Sequence, residues 1–234
     1  NQLLYAQGCA IEGEDFSHFD EAVDVAKTSD VILLCLGEKA SWSGENASRA
    51  SISLPAVQEK LLNELSKTGK PIVLVLSNGR PLDLSRMAPS CKAILELWQP
   101  GIMGGKALSN VLSGAVNPSG KLSVTFPYNI GQIPIYYNRR NPARKPTQGF
   151  YQDMTVEPLY KFGYGLSYTK FEYGDIVASS IKIKPTDNLI LKVDVRNTGN
   201  RDGAEVAQWF VSAQSCSIAR PMKELKYFTK REIK

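Results

Sequence analysis

Histidine is almost missing from this 234-residue chain: His18 stands alone, inside the acidic segment EGEDFSHFDE. A Ser/His/Asp mechanism would have to use it, yet no GxSxG nucleophile elbow accompanies it, so it reads as a surface histidine. Cysteine is sparse as well. Cys9, Cys35, Cys91 and Cys216 lie far apart and form no CxxC pair, which removes a zinc site and a redox motif. Cys35, inside an apolar run, reads as an inert buried thiol. No apolar run approaches the roughly 20 residues that cross a bilayer, and the opening NQLLYAQG has neither the basic flank nor the apolar core of a signal peptide. No metal, no cofactor and no membrane partner is expected. The net charge of +5 is modest. Its basic clusters, RRNPARK (Arg139 to Lys145) and the terminal KELKYFTKREIK, carry little aromatic interleaving in one case and acids in the other, which argues against nucleic acid.

What the chain does contain is organised around VILLCLGEKASWSGENASR, residues Val31 to Arg49. The unbroken apolar run Val31 to Leu36 has the character of a central parallel strand covered on both faces. Gly37 ends it. The loop beyond holds two carboxylates (Glu38, Glu45), an indole (Trp42), a guanidinium (Arg49) and the flexible pair Ser43-Gly44. Ligands of open α/β sheets bind beyond the carboxyl ends of strands, so this loop is a candidate for substrate contact; a solvated surface loop is the alternative.

Similar units recur on either side. Leu3 to Tyr5 fits a short strand, and Ala22, Val23 and Ala26 suit one face of a short helix. PAVQEKLLNELSKTG has proline in its first turn, apolar residues at helical spacing and Gly69 as terminator. Ile72 to Leu76 and Ala93 to Leu97 are further buried runs, ending in SNGRPLDL and WQPG. Apolar runs about one helix apart predict βαβ crossovers and a parallel sheet. PGIMGGKALSNVLSG invites a phosphate-loop reading but fails it, because Pro100 and Ala107 stand where a glycine and a hydroxyl are required. Close packing of strand on helix is the expected use of its glycines.

From Asn117 to about Tyr160 the text reads as a connector draped over a surface. Beyond Tyr168 apolar and polar residues alternate: Leu189, Leu191, Val193 and Val195 fall on one strand face, and NTGNRDG turns the chain into AEVAQWFVS. Val193, Val195, Val206 and Trp209 are expected to share an apolar face. About 65 residues with three or four strands begin a β-sandwich without closing one, since an immunoglobulin or fibronectin sandwich needs about seven strands.

LSNGRPLDL, ELWQPGIMGGKALSNVLSGAVNPSGKLSVTFP, PLYKFGYGLSYTKFEY, VRNTGNRDGAEVAQWFV and RPMKELKYF, in that order, resemble the family 3 glycoside hydrolases. The SWSGENASR loop most resembles the β-glucosidase branch. The resemblance implies an α/β fold: a layered, mostly parallel sheet flanked by helices (an α/β sandwich, residues 1–136). A connector (137–168) and a partial all-β fibronectin type III-like sandwich (169–234) follow. It implies that the chain is the C-terminal portion of a retaining β-glycosidase, entering the α/β domain after its opening strand and stopping inside the next. The partner is then an N-terminal (β/α)8 barrel carrying the nucleophile, the substrate a β-linked glucoside or oligosaccharide, and the location periplasmic or secreted. On this reading the chain alone is inactive.

Retaining glycosidases use two carboxyl groups about 5 to 5.5 Å apart, a nucleophile and an acid/base. The resemblance assigns the acid/base to this loop, as Glu45 in first place and Glu38 in second. Reach favours Glu45, at the tip beyond Ser43-Gly44; Glu38 is held at the strand end. Trp42 would stack on a sugar face or pack within the loop, and Arg49 would fix a loop carboxylate or lie plainly on the surface. Asn46-Ala47-Ser48 matches a glycosylation sequon, but a glycan there would obstruct a catalytic acid. Two rival readings are a non-catalytic carbohydrate-binding or scaffolding module and a flavodoxin-like nucleotide-binding domain. The loop carboxylates weigh against the first, and the missing phosphate loop against the second.

Overall fold

The computed structural model describes residues 2–140 and 151–234. The chain divides into two compact units, the first comprising Asn1–Leu108, Val124–Tyr137 and Pro142–Phe162, the second Ser109–Ser123, Asn138–Asn141 and Gly163–Lys234.

The core of the first unit is a three-stranded parallel sheet of β1 (Ile32–Gly37), β2 (Ile72–Ser77) and β3 (Ala93–Glu96), in the order β1-β2-β3. Leu74 and Leu76 in β2 are fully buried, and Val75, facing the other way, is 3 % exposed. That is the double burial of a central strand. The expectation of a central strand therefore belongs to β2. β1 is an edge strand among the described residues, and its burial alternates: Leu34 and Leu36 are inside, while Leu33 is 42 % exposed and Cys35 is exposed. An apolar run does not reveal whether one face or two is covered, and here one is, so Cys35 is not the buried thiol expected.

Helix α1 (Phe19–Thr28) buries Phe19, Ala22 and Ala26, and packs on α2 (Ala56–Ser66). Asp20 and Glu21 in the first turn of α1 and Lys27 in its last complement the helix dipole. Helix α2 turns Val57, Leu61, Leu62 and Leu65 inward at the i, i+4 and i+8 spacing of one face. Its Gln58, 1 % exposed, accepts from Gly37 N (2.9 Å) and donates to Gly37 O (2.8 Å) and Ile11 O (2.7 Å), locking the end of β1 to the helix. The second crossover differs from expectation: β2 reaches β3 through a loop and a short 3-10 turn (Ala88–Ser90) without an α-helix. Leu82, Leu84 and Met87, all at most 2 % exposed, join the core from this loop without a helix to carry them. Asp83 stiffens this loop by accepting from Ser85 N (3.1 Å) and Ser85 Oγ (2.6 Å).

Leu3 to Tyr5 form no strand. Helix α3 (Gly104–Leu112) follows the glycine bend, and a Cβ at Gly104 would lie 2.6 Å from Pro100 Cβ, so that glycine packs on its own bend and not on a strand. Part of the expected connector is built in: Phe126, 2 % exposed, pairs its backbone with Tyr160 and its ring with Trp98 (5.7 Å). The basic cluster from Arg139 to Lys145 lies largely outside the described residues.

The second unit contains antiparallel pairs: β4 (Phe171–Tyr173) with β7 (Val195–Asn197), β5 (Val177–Ala178) with β6 (Leu191–Lys192), and the longer ribbon β8 (Gly203–Val211) with β9 (Glu224–Ile233). The expected continuous strand from Leu189 is thus two short ones. Val193, Val195, Ala207, Trp209 and Ile233 line an apolar hollow of about 320 Å³. Val206 does not join them: one residue from Ala207, it projects to the opposite side of β8.

The core assignment predicts a contrast. Leu74→Ala should cost about 2–5 kcal/mol, as a cavity in a central strand does, and Leu33→Ala on the open face of β1 within about 0.5 kcal/mol. Urea midpoints measure both; equal losses would mean that the outer face of β1 is covered.

Candidate active site

The parallel register brings three strand ends to one side. Gly37 lies opposite Ser77, and Leu76 opposite Glu96, so the turns after β1, β2 and β3 converge. They border a cleft of about 550 Å³ lined by Glu38, Lys39, Ser43, Asn78, Gly79 and Gln99 among others.

Glu38 continues the β1 ladder, its N–H bonding Ser77 O at 2.9 Å. Its side chain is 1 % exposed and faces two guanidinium groups: Arg49 Nη1 is 2.5 Å from Oε1 and Arg80 Nε 3.3 Å from Oε2. Arg49 also donates to Ser53 O (3.4 Å), and its guanidinium lies over the Trp42 ring at 4.5 Å. Lys39 Nζ approaches the same ring at 5.7 Å. The indole is thus packed by cations within its own loop. Arg80 reaches further, donating through Nη2 to Trp42 O and to Ala47 O (3.2 Å).

Glu45 lies between those two carbonyls and is exposed. The turn that carries it has Gly44 at φ 116° and Asn46 at φ 60°, with Ala47 N bonded to Gly44 O (3.3 Å). Gly79 lets the loop settle: a Cβ there would lie 2.1 Å from Ser43 Oγ, so only glycine admits this approach. Among the described residues, Ser43 Oγ and Asn78 Oδ1 are buried polar atoms without a hydrogen-bond partner, and both residues line the cleft.

A further buried acid, bonded to Asn78 of the cleft, was not visible in the residue pattern. Glu96 ends β3 with Oε1 accepting from Trp98 N (2.8 Å) and Oε2 from Asn78 Nδ2 (3.3 Å). Burial pushes its carboxyl up to about 7; the two hydrogen bonds oppose this, and the nearby Glu38 charge adds to it. Trp98 itself stands at φ 53°, uncommon for an aromatic residue, and its carbonyl accepts from Asn78 N (3.1 Å) and Ser77 Oγ (3.2 Å). The polar turn SNGR and the acid before LWQP were the available signals. Neither showed that the Arg80 closing SNGR pairs with Glu38, 42 positions away. His18 stands apart, just ahead of α1 and 3.8 Å from Glu21. Among the described residues no group of three or more His, Cys, Asp or Glu is arranged to hold a metal, and no helix is long and apolar enough to cross a membrane.

Residues 5–168 match the model of the glycosyl hydrolase family 3 C-terminal domain. A periplasmic beta-glucosidase of Salmonella typhimurium is 44% identical over 222 residues, 92% of this chain and 29% of that protein. A beta-xylosidase of Formosa agariphila is 39% identical over the whole chain and 32% of its own length. The crystal structure of a beta-glucosidase from Listeria innocua in complex with glucose superposes with a TM-score of 0.90 at 39% identity, covering 96% of this chain and 32% of that one. The chain thus spans about a third of the length of these relatives.

The environment of Glu96 has a sign. An unfolded carboxyl releases its proton near 4.5 and the folded one near 7, so the native state holds the extra proton in between. Stability then falls as pH rises through that window, by up to about 3 kcal/mol, with the full penalty present above it. Glu96→Gln should flatten the melting temperature between pH 4.5 and 7 and raise it at pH 8. An unchanged slope in the variant would assign the pH dependence to other groups.

Proposed function

Since the chain belongs to glycosyl hydrolase family 3, whose C-terminal domain it matches, we propose that it is the C-terminal portion of a retaining β-glucosidase. It would act on terminal non-reducing β-glycosyl residues, with Glu45 as general acid/base. The observation that carries this is the contrast between the two loop carboxylates. Glu45 is exposed on a turn beside the cleft, free to enter another domain's pocket. The Glu38 side chain is 1 % exposed and paired with two arginines; to reach a leaving-group oxygen it would have to abandon both. We therefore give Glu38 the role of anchor.

The other assignments follow from this reading. The nucleophile belongs to a (β/α)8 barrel in the rest of the protein, and the chain by itself is inactive. Residues 1–136 form the α/β sandwich domain carrying the loop, 137–168 a connector, and 169–234 part of a fibronectin type III-like sandwich. Trp42, steadied by Arg49 beneath one face, offers its ring to a sugar. The unpartnered Ser43 hydroxyl and Asn78 carbonyl at the cleft suit a polyhydroxylated ligand, because a buried polar atom left unpaired is costly. A β-xyloside is the alternative substrate, in keeping with the Formosa relative, and the Salmonella relative's name supports a periplasmic or secreted location.

Leaving-group dependence tests the assignment. In the enzyme comprising this chain and its barrel, Glu45→Gln should slow glycosides with poor leaving groups by about 10²–10⁴-fold. Activated aryl glucosides, which need little proton assistance, should be far less affected in their first step, and azide should restore their turnover. If Glu38→Gln gives that pattern and Glu45→Gln does not, the roles are exchanged; if neither does, the chain is a non-catalytic module. The chain alone should release no aglycone from aryl β-glucosides above a matched blank.

A further inference from the structure

We propose that Arg80 is the positioning residue of the acid/base loop, a clamp that holds the Glu45 turn by its two limbs; the proposal rests on the reading of Glu45 given above. One guanidinium makes three contacts that do different things. Its Nε faces Glu38 Oε2 (3.3 Å), a carboxylate fixed to the end of β1. Its Nη2 meets Trp42 O, before the turn, and Ala47 O (3.2 Å), after it. The four residues between those carbonyls include Gly44, Glu45 and Asn46, two of them at positive φ. Within the turn itself the backbone makes one long hydrogen bond, Ala47 N to Gly44 O (3.3 Å), and Arg80 adds the link between the stretches on either side of it.

Arg80 is itself fixed. It follows β2 by three residues, and Asn78 Nδ2 donates to its carbonyl at 2.8 Å. Its side chain is 19% exposed. The planar fork of arginine serves two carbonyls and a carboxylate at once, whereas a lysine ammonium in the same place is a single point with a floppier stem. Arg49 pairs with the same Glu38, but its remaining contacts go to Ser53 O and the Trp42 face, and it bonds neither limb of the turn. The two arginines therefore share an anchor and differ in function: Arg49 seats the indole, and Arg80 sets where Glu45 stands.

The test separates the clamp from the charge pair and from the identity of the acid. In the 234-residue chain, backbone amide exchange within residues 43–47, read at the hydrogen-bonded N–H groups of Ser43 and Ala47, should accelerate at least tenfold in Arg80→Ala, while amides of β1 and β2 keep their protection. Arg80→Lys, which keeps a cation beside Glu38 and covers the case in which Arg80→Ala does not fold, should give an intermediate acceleration. Arg49→Ala should leave residues 43–47 close to wild type. In the enzyme comprising this chain and its barrel, Arg80→Lys should lower kcat for poor leaving groups by about 10- to 100-fold, as displacing a catalytic group by about 1 Å does, with KM little changed and activated substrates spared. Unchanged exchange at 43–47 in both Arg80 variants overturns the clamp. Equal acceleration in Arg49→Ala overturns it too, because a half-paired Glu38 would then be what loosens the loop. If the exchange result holds but Glu45→Gln leaves the poor substrates untouched, the clamp stands and the assignment of the acid falls.

Discussion

The interaction on which the first unit's active face depends is the burial of one carboxylate between two guanidinium groups. Taking Glu38 out of water costs several kcal/mol, and the Coulombic return in a low-dielectric interior offsets this only when the geometry is good. Both carboxylate oxygens are engaged, each by a different arginine. Apolar residues of similar volume would stabilise as well or better. What they would not do is join three separate stretches, the end of β1, the turn after β2 and the loop before α2, in one fixed arrangement. Loss of either arginine leaves a buried carboxylate half-paired, so disruption is expensive even where the net worth of the intact triad is small.

Why a buried charge is tolerable here follows from the sheet. Parallel strands in register end together, and Gly37 opposite Ser77 puts the residues just past both strands within reach of each other. Gln58 ties Gly37 from the helix side through two hydrogen bonds. Glu38 therefore starts from a backbone position with little freedom, and less conformational entropy is lost in pairing it. The exposed turn that begins six residues further along, at Gly44, has the opposite character, with Gly44 and Asn46 at positive φ and Glu45 in solvent. Rigidity at one end of the loop and openness at the other come from the same short segment.

Much of this was legible in the residues. The helical spacing in PAVQEKLLNELS and the short apolar runs at Ile72 and Ala93 located α2, β2 and β3, since periodicity and length suffice for such elements. The strand before the loop was legible as a strand but not as an edge, because VILLCL carries apolar residues on both faces whether or not both are covered. The second crossover misled for a related reason: Leu82, Leu84 and Met87 are buried as a helix face would be, from a loop that opens on the turn residues Asn78-Gly79 and Pro81. Arg49 lies close enough to Glu38 in sequence for a local pairing to be imagined. Arg80 does not, and only the register of β1 on β2 makes them neighbours.

The two acids at the strand ends show how the same burial yields different chemistry. Glu38 meets two cations; Glu96 meets a backbone N–H and an amide, which hydrogen-bond its carboxylate without supplying a compensating charge. Desolvation is therefore the leading influence on Glu96, and the neighbouring Glu38 charge pushes in the same direction. Burial therefore favours the protonated form of Glu96 well above the ordinary carboxyl range. Loss of the proton would place a second negative charge near Glu38, and that repulsion adds to desolvation in holding it on.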